Sequence, residues 1–261
     1  GNQQQQQQTA ATADTVDEFA LANNSTGAGA TVVNGSATFQ GNQVDASAAT
    51  FNSVNLGTQG GVAFSLSSPG ILITSGDGTP LTSNTATLST ATAGGAITDG
   101  TLAPKVNNLV VSPNQTVVDA SVLKFDFTLS NAEVKGLVFD WMFATEESPD
   151  QSATDIAAVF VDGTNALTFD RDNTAVRFLN DTNEKQFVTN SSLSTQFDAV
   201  TRPETSVGLI NTSLTTHTVE VVVADTLDAT GDSGLYISPR ALALDGTVSG
   251  NFTAGADTLV G

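Results

Sequence analysis

The segment LVFDWMFATEESPDQSATDIAAVFVDG, residues 137–163, decides the fold of this chain. Alternate residues from Leu137 to Phe143 are large and apolar, which is the two-residue period of a β-strand. A stretch rich in carboxylates follows, and a second apolar run then extends from Ile156 to Val161. The pattern predicts two core strands joined by an acidic loop, which is either a solvated turn or a cation site.

The composition limits the kinds of partner. The chain has 261 residues, with 27 acidic against 8 basic side chains and a net charge of −19. A surface this acidic repels phosphate groups, so we expect no nucleic acid partner, and it attracts divalent cations. No apolar run approaches the roughly 18 residues of a membrane-spanning helix, so we expect no membrane insertion. The scarcity of Lys and Arg beside abundant Asp, Thr, Ser, Asn and Gly is typical of secreted β proteins and predicts an extracellular or cell-surface location.

The absence of cysteine restricts both stability and chemistry. The chain contains neither disulfides nor thiolate metal sites. The fold must therefore rely on its core, on hydrogen bonds and on any bound ions.

Short apolar runs separated by Gly, Asn, Ser and Pro continue along the chain. Residues 119–130 alternate most cleanly, with Leu123, Phe125 and Phe127 on one face. Residues 217–225 read as a strand buried on both faces, and residues 76–104 as a loop or irregular edge insertion. This spacing predicts an all-β fold, a β-sandwich of jelly-roll type with long polar loops.

The beginning of the sequence differs from the rest. Residues 1–13, GNQQQQQQTAATA, are a low-complexity polar stretch that buries too little apolar surface to order itself. Residues 14–23 fit a short helix or a strand equally well. We divide the chain into a polar N-terminal tail and possible assembly strand at 1–34, a sandwich at 35–245 and a C-terminal extension at 246–261.

Two acidic loops follow strong apolar strands. If the strand ends lie side by side, the loops meet, and clustered carboxylates supply the six to eight hard oxygens that Ca²⁺ prefers. The alternative is that both loops are solvent-exposed turns that do not contact each other. We predict a Ca²⁺ site formed by Glu146, Glu147, Asp150, Asp155, Asp225 and Asp232, with Asp228 and Ser233 beside it.

Signs of catalysis are weak. The single histidine, His217, opens a strand whose Thr neighbours suggest an exposed face, and it has no evident nucleophile or metal partner. The GxSxG, HExxH and Walker patterns are all missing from the sequence. Carboxylate pairs could serve a glycosidase, but one Trp and one Tyr offer little aromatic platform for a sugar. We therefore predict a protein that is not an enzyme.

Six segments, in order, resemble the choice-of-anchor L domain family of secreted bacterial and archaeal surface proteins. The resemblance implies a β-sandwich in an exported protein, and it aligns the acids of both loops with the acids of the family pattern. Two positions depart from that pattern: Ser148 stands where an aromatic residue usually follows the paired acids, and Thr154 where Asn usually precedes the next acid. The segments are GILITSG (70–76), DASVLKFDF (119–127), FDWMFATEES (139–148), TDIAAVFVDG (154–163), FDAVT (197–201) and VADTLDATGDSGLYI (223–237).

Three functions from different classes follow. The first is a structural or adhesive surface protein, a filament or biofilm-matrix subunit that forms a homopolymer when residues 1 to about 35 add as a strand to the open sheet edge of the next subunit. The second is a calcium-dependent module that binds a glycan or another extracellular matrix ligand through aromatic residues such as Trp141 and Tyr236. The third is a hydrolase that uses the acidic loops. We expect the first.

Overall fold

The computed structural model defines the strands around that segment. It describes residues 8–10, 21–23, 25–26, 29–42, 47–76, 95–110, 116–130, 132–146, 155–169, 174–177, 187–226 and 231–241. The strands before the helix are β1 (Gln8–Ala10), β2 (Ala30–Val32), β3 (Thr38–Gln40), β4 (Ala48–Phe51), β5 (Val54–Gln59), β6 (Val62–Leu66) and β7 (Gly70–Thr74). Helix α1 (Leu102–Asn107) is followed by β8 (Val117–Leu129), β9 (Gly136–Thr145), β10 (Ile156–Val161), β11 (Thr164–Asn165), β12 (Thr168–Phe169) and β13 (Thr174–Arg177). The last strands are β14 (Phe187–Thr189), β15 (Ala199–Thr201), β16 (Glu204–Leu209), β17 (His217–Thr226) and β18 (Ser233–Ala241).

Two antiparallel sheets form the body of the protein. Sheet A has the order β1-β4-β7-β18-β9-β15-β14, with β16 also paired to β9. Sheet B has the order β12-β13-β10-β17-β8-β2, with β11 paired to β10 and β3 to β8. The two strands of the opening segment therefore lie in different sheets, β9 in A and β10 in B. The prediction of an all-β sandwich is confirmed.

The main core lies between the two sheets. Alternate residues of β9, including Phe139, Trp141 and Phe143, pack with alternate residues of β8 and β17, such as Phe125 and Val221. All of these side chains are buried. The alternation predicted for residues 119–130 is confirmed, since Leu123, Phe125 and Phe127 face this core.

Both sheets are also covered on their outer faces, which explains why most positions of β9, β10 and β17 are apolar. The β5–β6 hairpin packs over sheet A, where Phe64 meets Met142 and Tyr236. Helix α1 packs over sheet B, where Leu102 meets Phe160. A strand that is buried on both faces needs apolar residues at every position, so strict alternation disappears.

The sequence did not predict helix α1, whose first three residues lie at the end of the stretch expected to be a loop or edge insertion, residues 76–104. Asp99 Oδ1 accepts hydrogen bonds from the backbone N–H groups of Thr101 and Leu102, at 2.9 and 3.3 Å. Pro104 stands in the first turn, where its missing N–H costs little. The helix spans only 6 residues, which is too short for a periodic signal. Burial of Leu102 and Val106 against sheet B stabilises it.

Beside α1, two acids flank Lys124. Lys124 lies opposite Glu220 in the β8–β17 register, and its Nζ donates to Asp99 Oδ2 at 3.1 Å. Burial raises the pKa of Glu220 above its ordinary value, and the charge of Lys124 only partly offsets this. The hydrogen bond from the Thr101 N–H is the main cause that lowers the pKa of Asp99. The two acids are therefore expected to affect stability with opposite signs.

We expect Glu220→Gln to raise the free energy of unfolding at pH 7, by about 1 kcal/mol at most. A carboxyl group whose pKa is raised by folding loses stability as pH rises through that pKa, so the gain should vanish below the pKa of the unfolded chain. Asp99→Asn is the matched contrast and should destabilise at pH 7 and have less effect in acid. Urea denaturation at several pH values measures both, and a Glu220→Gln effect independent of pH would contradict the assignment.

Candidate functional site

The acidic residues at one end of the sandwich form a row across sheet B. Asp225 pairs with Asp119 in the β8–β17 register, and Ile156 pairs with Ala224 between β10 and β17. Continuing that register places Asp155 opposite Asp225. Each of the three acids is 1% exposed. Directly opposed residues in antiparallel strands have Cα atoms about 4.5–5.5 Å apart, so the three carboxylates lie on neighbouring strands.

Asp225 lies in the middle of this row, and its carboxylate lacks hydrogen bonds. Neither of its carboxylate oxygens has a hydrogen-bond partner. Burial, and then the negative charge of Asp155, raise the pKa of Asp225 well above its ordinary value, and Asp232 adds to the effect. The Ser75 hydroxyl beside the carboxylate lowers the pKa, and the Asp155 side chain beside it raises the pKa further. Such a group needs either a proton or a cation nearby.

Hydroxyl groups connect the two sheets at the same end. Ser233 Oγ, in sheet A, donates to Asp155 Oδ2 at 2.6 Å and lies 2.8 Å from Thr145 Oγ1. The Ser233 N–H donates to Ser75 Oγ at 3.0 Å. Ser121 Oγ, in sheet B, donates to the Thr74 carbonyl of sheet A at 2.6 Å. Buried polar groups of this kind are stable inside a protein only when bonded to each other.

The structure describes four of the six predicted ligands, Glu146, Asp155, Asp225 and Asp232. Glu146 and Asp232 lie side by side through a backbone hydrogen bond of 3.0 Å, but Glu146 Oε1 accepts from Gln196 Nε2 at 3.3 Å. Gln196 adjoins Phe197, which packs on the outer face of sheet A. Glu147 and Asp150, like Asp228, lie outside the described residues. Among the residues the structure describes, no three acidic or histidine side chains are grouped so as to hold a metal ion by themselves.

Sequence reasoning did not single out Asp119, Ser75 or Ser121 as part of this end. Asp119 Oδ1 accepts a hydrogen bond from the Gly95 N–H at 2.9 Å. One sequence signal could have identified Asp119. It stands at an even spacing from the core residues Leu123 and Phe125 in the most clearly alternating strand, so its side chain is expected on the same face of the sheet. Only the β8–β17 register shows that this position faces Asp225.

The exposed face expected for His217 is wrong. The residue is 3% exposed, and its ring lies 5.3 Å from that of Phe127. His217 Nδ1 is 2.7 Å from Asp162 Oδ2. Its position on the inner face of β17, with the same parity as Val219 and Val221, buries it despite its Thr neighbours. The pair therefore belongs to the core.

Asp162 also accepts hydrogen bonds from the backbone at this corner of the sandwich, where the β10–β11 turn meets the start of β17. Its Oδ1 accepts from the Thr218 N–H at 2.9 Å and its Oδ2 from the Asn211 N–H at 2.8 Å. With Gly163 it forms the two-residue turn between β10 and β11, and both residues have positive φ, 47° and 83°. An Asp-Gly pair suits such a turn. A shallow cleft lies beside the turn. Asn165 and Leu209 line it, and Asp162 contributes a carboxylate to its wall.

The aromatic residues considered for ligand binding are both in the interior. Trp141 and Tyr236 are each 0% exposed. Among the described residues, the exposed large apolar side chains are Leu209 and Leu214. The described surface therefore contains no aromatic platform for a sugar ring.

A match to a protein-family model decides the family. The model for the choice-of-anchor L domain matches residues 5–243, nearly the whole chain. This chain belongs to the choice-of-anchor L domain family. The resemblance noted in the six ordered segments is thereby confirmed. The chain matches no curated protein and no solved structure.

Membership in the choice-of-anchor L family indicates a secreted or cell-surface protein. The family is not known for enzymatic activity. The match includes β1 at residues 8–10, within the segment that the sequence predicts to be a polar tail. None of the described helices has the length and apolar character needed to cross a bilayer.

Proposed function

We propose that this choice-of-anchor L protein is a structural subunit of an extracellular surface assembly, joined to its neighbours by exchange of strand β1. The observation that supports it is the position of β1 at the edge of sheet A. Gln8, Thr9 and Ala10 pair with Phe51, Thr50 and Ala49 of β4. No other strand covers the far side of β4 in the described sheet.

Backbone chemistry explains how so polar a segment becomes a strand. Strand addition depends on main-chain N–H and C=O groups, which are the same in a Gln-rich segment as in an apolar one. β4 presents an edge whose residues are mostly buried, and the next strand, β7, is buried throughout. If β1 leaves, the edge of β4 is uncovered, and an uncovered edge favours pairing with another chain.

The exchange proposed here concerns β1 alone. β2 and β3 both pair with β8 inside the same chain, so residues 30–40 are integral to sheet B. β1 also forms three residue pairs, but its partner is β4, at the edge of sheet A. The same three pairs can form between two chains without any change in the edge, which is the basis of strand swapping.

The alternative functions have less support. Binding of a glycan would need exposed aromatic residues, whereas Trp141 and Tyr236 are buried. A hydrolase would need two carboxylates in an open cleft, whereas Asp155 and Asp225 are both 1% exposed.

Paired cysteines test the exchange directly, because the native chain has none. Thr9 and Thr50 are opposed in the β1–β4 register, within reach of a disulfide. We mix a Thr9→Cys chain with a Thr50→Cys chain and oxidise the mixture. Exchange between chains should give a covalent dimer on a non-reducing gel, and the Thr9→Cys/Thr50→Cys double variant should give a ladder of multimers.

The matched control is the pair Thr31→Cys and Thr128→Cys, which are opposed in the β2–β8 register. Its double variant should form a disulfide within one chain, and its mixed single variants should form none. If the Thr9→Cys and Thr50→Cys mixture gives no dimer while the double variant closes within one chain, β1 pairs only with its own β4 and the proposal fails.

A further inference from the structure

The carboxylate of Asp225 is buried, and the neighbouring side chains do not neutralise its charge. It is 1% exposed, and neither oxygen has a hydrogen-bond partner. The charges that act most strongly on it are negative, those of Asp155 and Asp232. A buried carboxylate is stable only if it is neutralised, and the candidates are a shared proton and a bound cation.

Oxygen atoms that can act as metal ligands lie near this position in both sheets. Asp155 and Asp225 come from β10 and β17 of sheet B. The Ser233 hydroxyl of sheet A is bonded to Asp155, and the Ser75 hydroxyl of sheet A lies beside Asp225. Carboxylate and hydroxyl oxygens are ligands that Ca²⁺ and Mg²⁺ accept, and neither ion needs nitrogen or sulfur.

We propose that a divalent cation with oxygen ligands, Ca²⁺ or Mg²⁺, binds between Asp155 and Asp225 of sheet B, beside the Ser75 and Ser233 hydroxyls of sheet A. Its charge balances the two carboxylates. The third acid of the row, Asp119, accepts a hydrogen bond from the Gly95 N–H, and no three acids of the described residues are grouped to hold a metal by themselves, so water completes the coordination shell, as is common for Mg²⁺. This site is narrower than the six-ligand Ca²⁺ site that the sequence predicts, since Glu146 is engaged with Gln196.

The site is independent of strand exchange. Its ligands lie at the ends of β10 and β17, whereas β1 pairs with β4. A bound ion stabilises the folded chain by mass action, because the unfolded chain does not hold its ligands together. Cation binding and chain assembly can therefore fail separately.

Titration of the metal-free protein tests the proposal. The full chain is stripped with EDTA and desalted, and CaCl₂ or MgCl₂ alone is then added in a calorimeter. We expect one ion per chain and a higher melting temperature that EDTA reverses, and the ion with the larger effect is the natural occupant. Asp225→Asn should weaken binding at least about tenfold and remove the cation-dependent shift.

Asp140→Asn is the control, since Asp140 also lies in a sandwich strand but is bonded to Thr205 at 2.7 Å. It should bind the ion like the parent chain. Asp155→Asn serves as a second variant if Asp225→Asn does not fold. Three results would overturn the site: neither ion binds the parent chain, Asp225→Asn binds as well as the parent, or Asp225→Asn is more stable than the cation-loaded parent. The last would show that the two carboxyls share a proton.

Discussion

Replacing Trp141 with alanine should lower the free energy of unfolding by about 3–5 kcal/mol, a large part of the stability of a typical domain. Trp141 is 0% exposed and lies in β9 between the two sheets. Its ring is 5.7 Å from that of Phe169, and its Nε1 donates to Ser206 Oγ at 2.9 Å. The variant loses the apolar contacts, leaves a cavity and breaks this hydrogen bond.

Two smaller changes separate these contributions. Trp141→Phe keeps most of the ring volume and loses the hydrogen bond, so it should cost less than Trp141→Ala. Ser206→Ala keeps the indole but leaves its buried N–H without this acceptor, at about 1–3 kcal/mol. Equilibrium urea denaturation followed by circular dichroism measures all three, because Trp141 is the only tryptophan and fluorescence would be lost with it. A cost below about 1 kcal/mol for Trp141→Ala would contradict this view of the core.

Asp162→Ala should destabilise by about 3 kcal/mol or more, because three donors lose their acceptor at once. These donors are the backbone N–H groups of Thr218 and Asn211 and Nδ1 of His217. Both Asp162 and His217 are shielded from water, with side-chain exposures of 3% and 4%. The φ of 47° adds strain in alanine, which has no side chain to support a left-handed conformation.

Asp162→Gly and Asp162→Asn are the matched controls for this corner. Glycine accepts the positive φ but supplies no acceptor, so the difference from alanine measures the strain. Asparagine tolerates the same φ and keeps one acceptor oxygen, so it should retain more stability than either. The same urea denaturation applies to all. If Asp162→Ala were no less stable than Asp162→Asn, the hydrogen bonds would contribute little.

The fold class could be predicted because its signals are local. Alternation in residues 119–130 and the apolar runs of residues 137–145 and 156–161 identify strands without knowledge of their partners. Helix α1 escaped notice, since it spans only 6 residues and depends on burial of Leu102 and Val106 against a sheet that is distant in sequence. The sequence predicted a possible assembly strand within residues 1–34 but neither the bounds nor the partner of β1, because its hydrogen bonds come from the edge of β4 rather than from its own composition.

The candidate site was predictable only in part. The sequence shows acids at the ends of strong strands, but it does not show which side of a sheet each side chain occupies. The register places Asp155 and Asp225 opposite each other, while Glu146 accepts a hydrogen bond from Gln196. Asp119 belongs to the row because it pairs with Asp225. The Thr neighbours of His217 suggested an exposed side chain, but His217 is buried. A shift of one residue reverses the facing of every side chain, so pattern alone cannot settle such a site.

By itself, the sequence of residues 137–163 determined that two core strands are joined through an acidic segment and that the chain is an all-β sandwich. The physical reason is that period and apolar content are properties of neighbouring residues. Only the tertiary structure decided that β9 and β10 belong to opposite sheets, that both outer faces are covered, and that Asp225 is buried without a hydrogen-bond partner. These features depend on contacts between segments far apart in the chain, which only folding brings together.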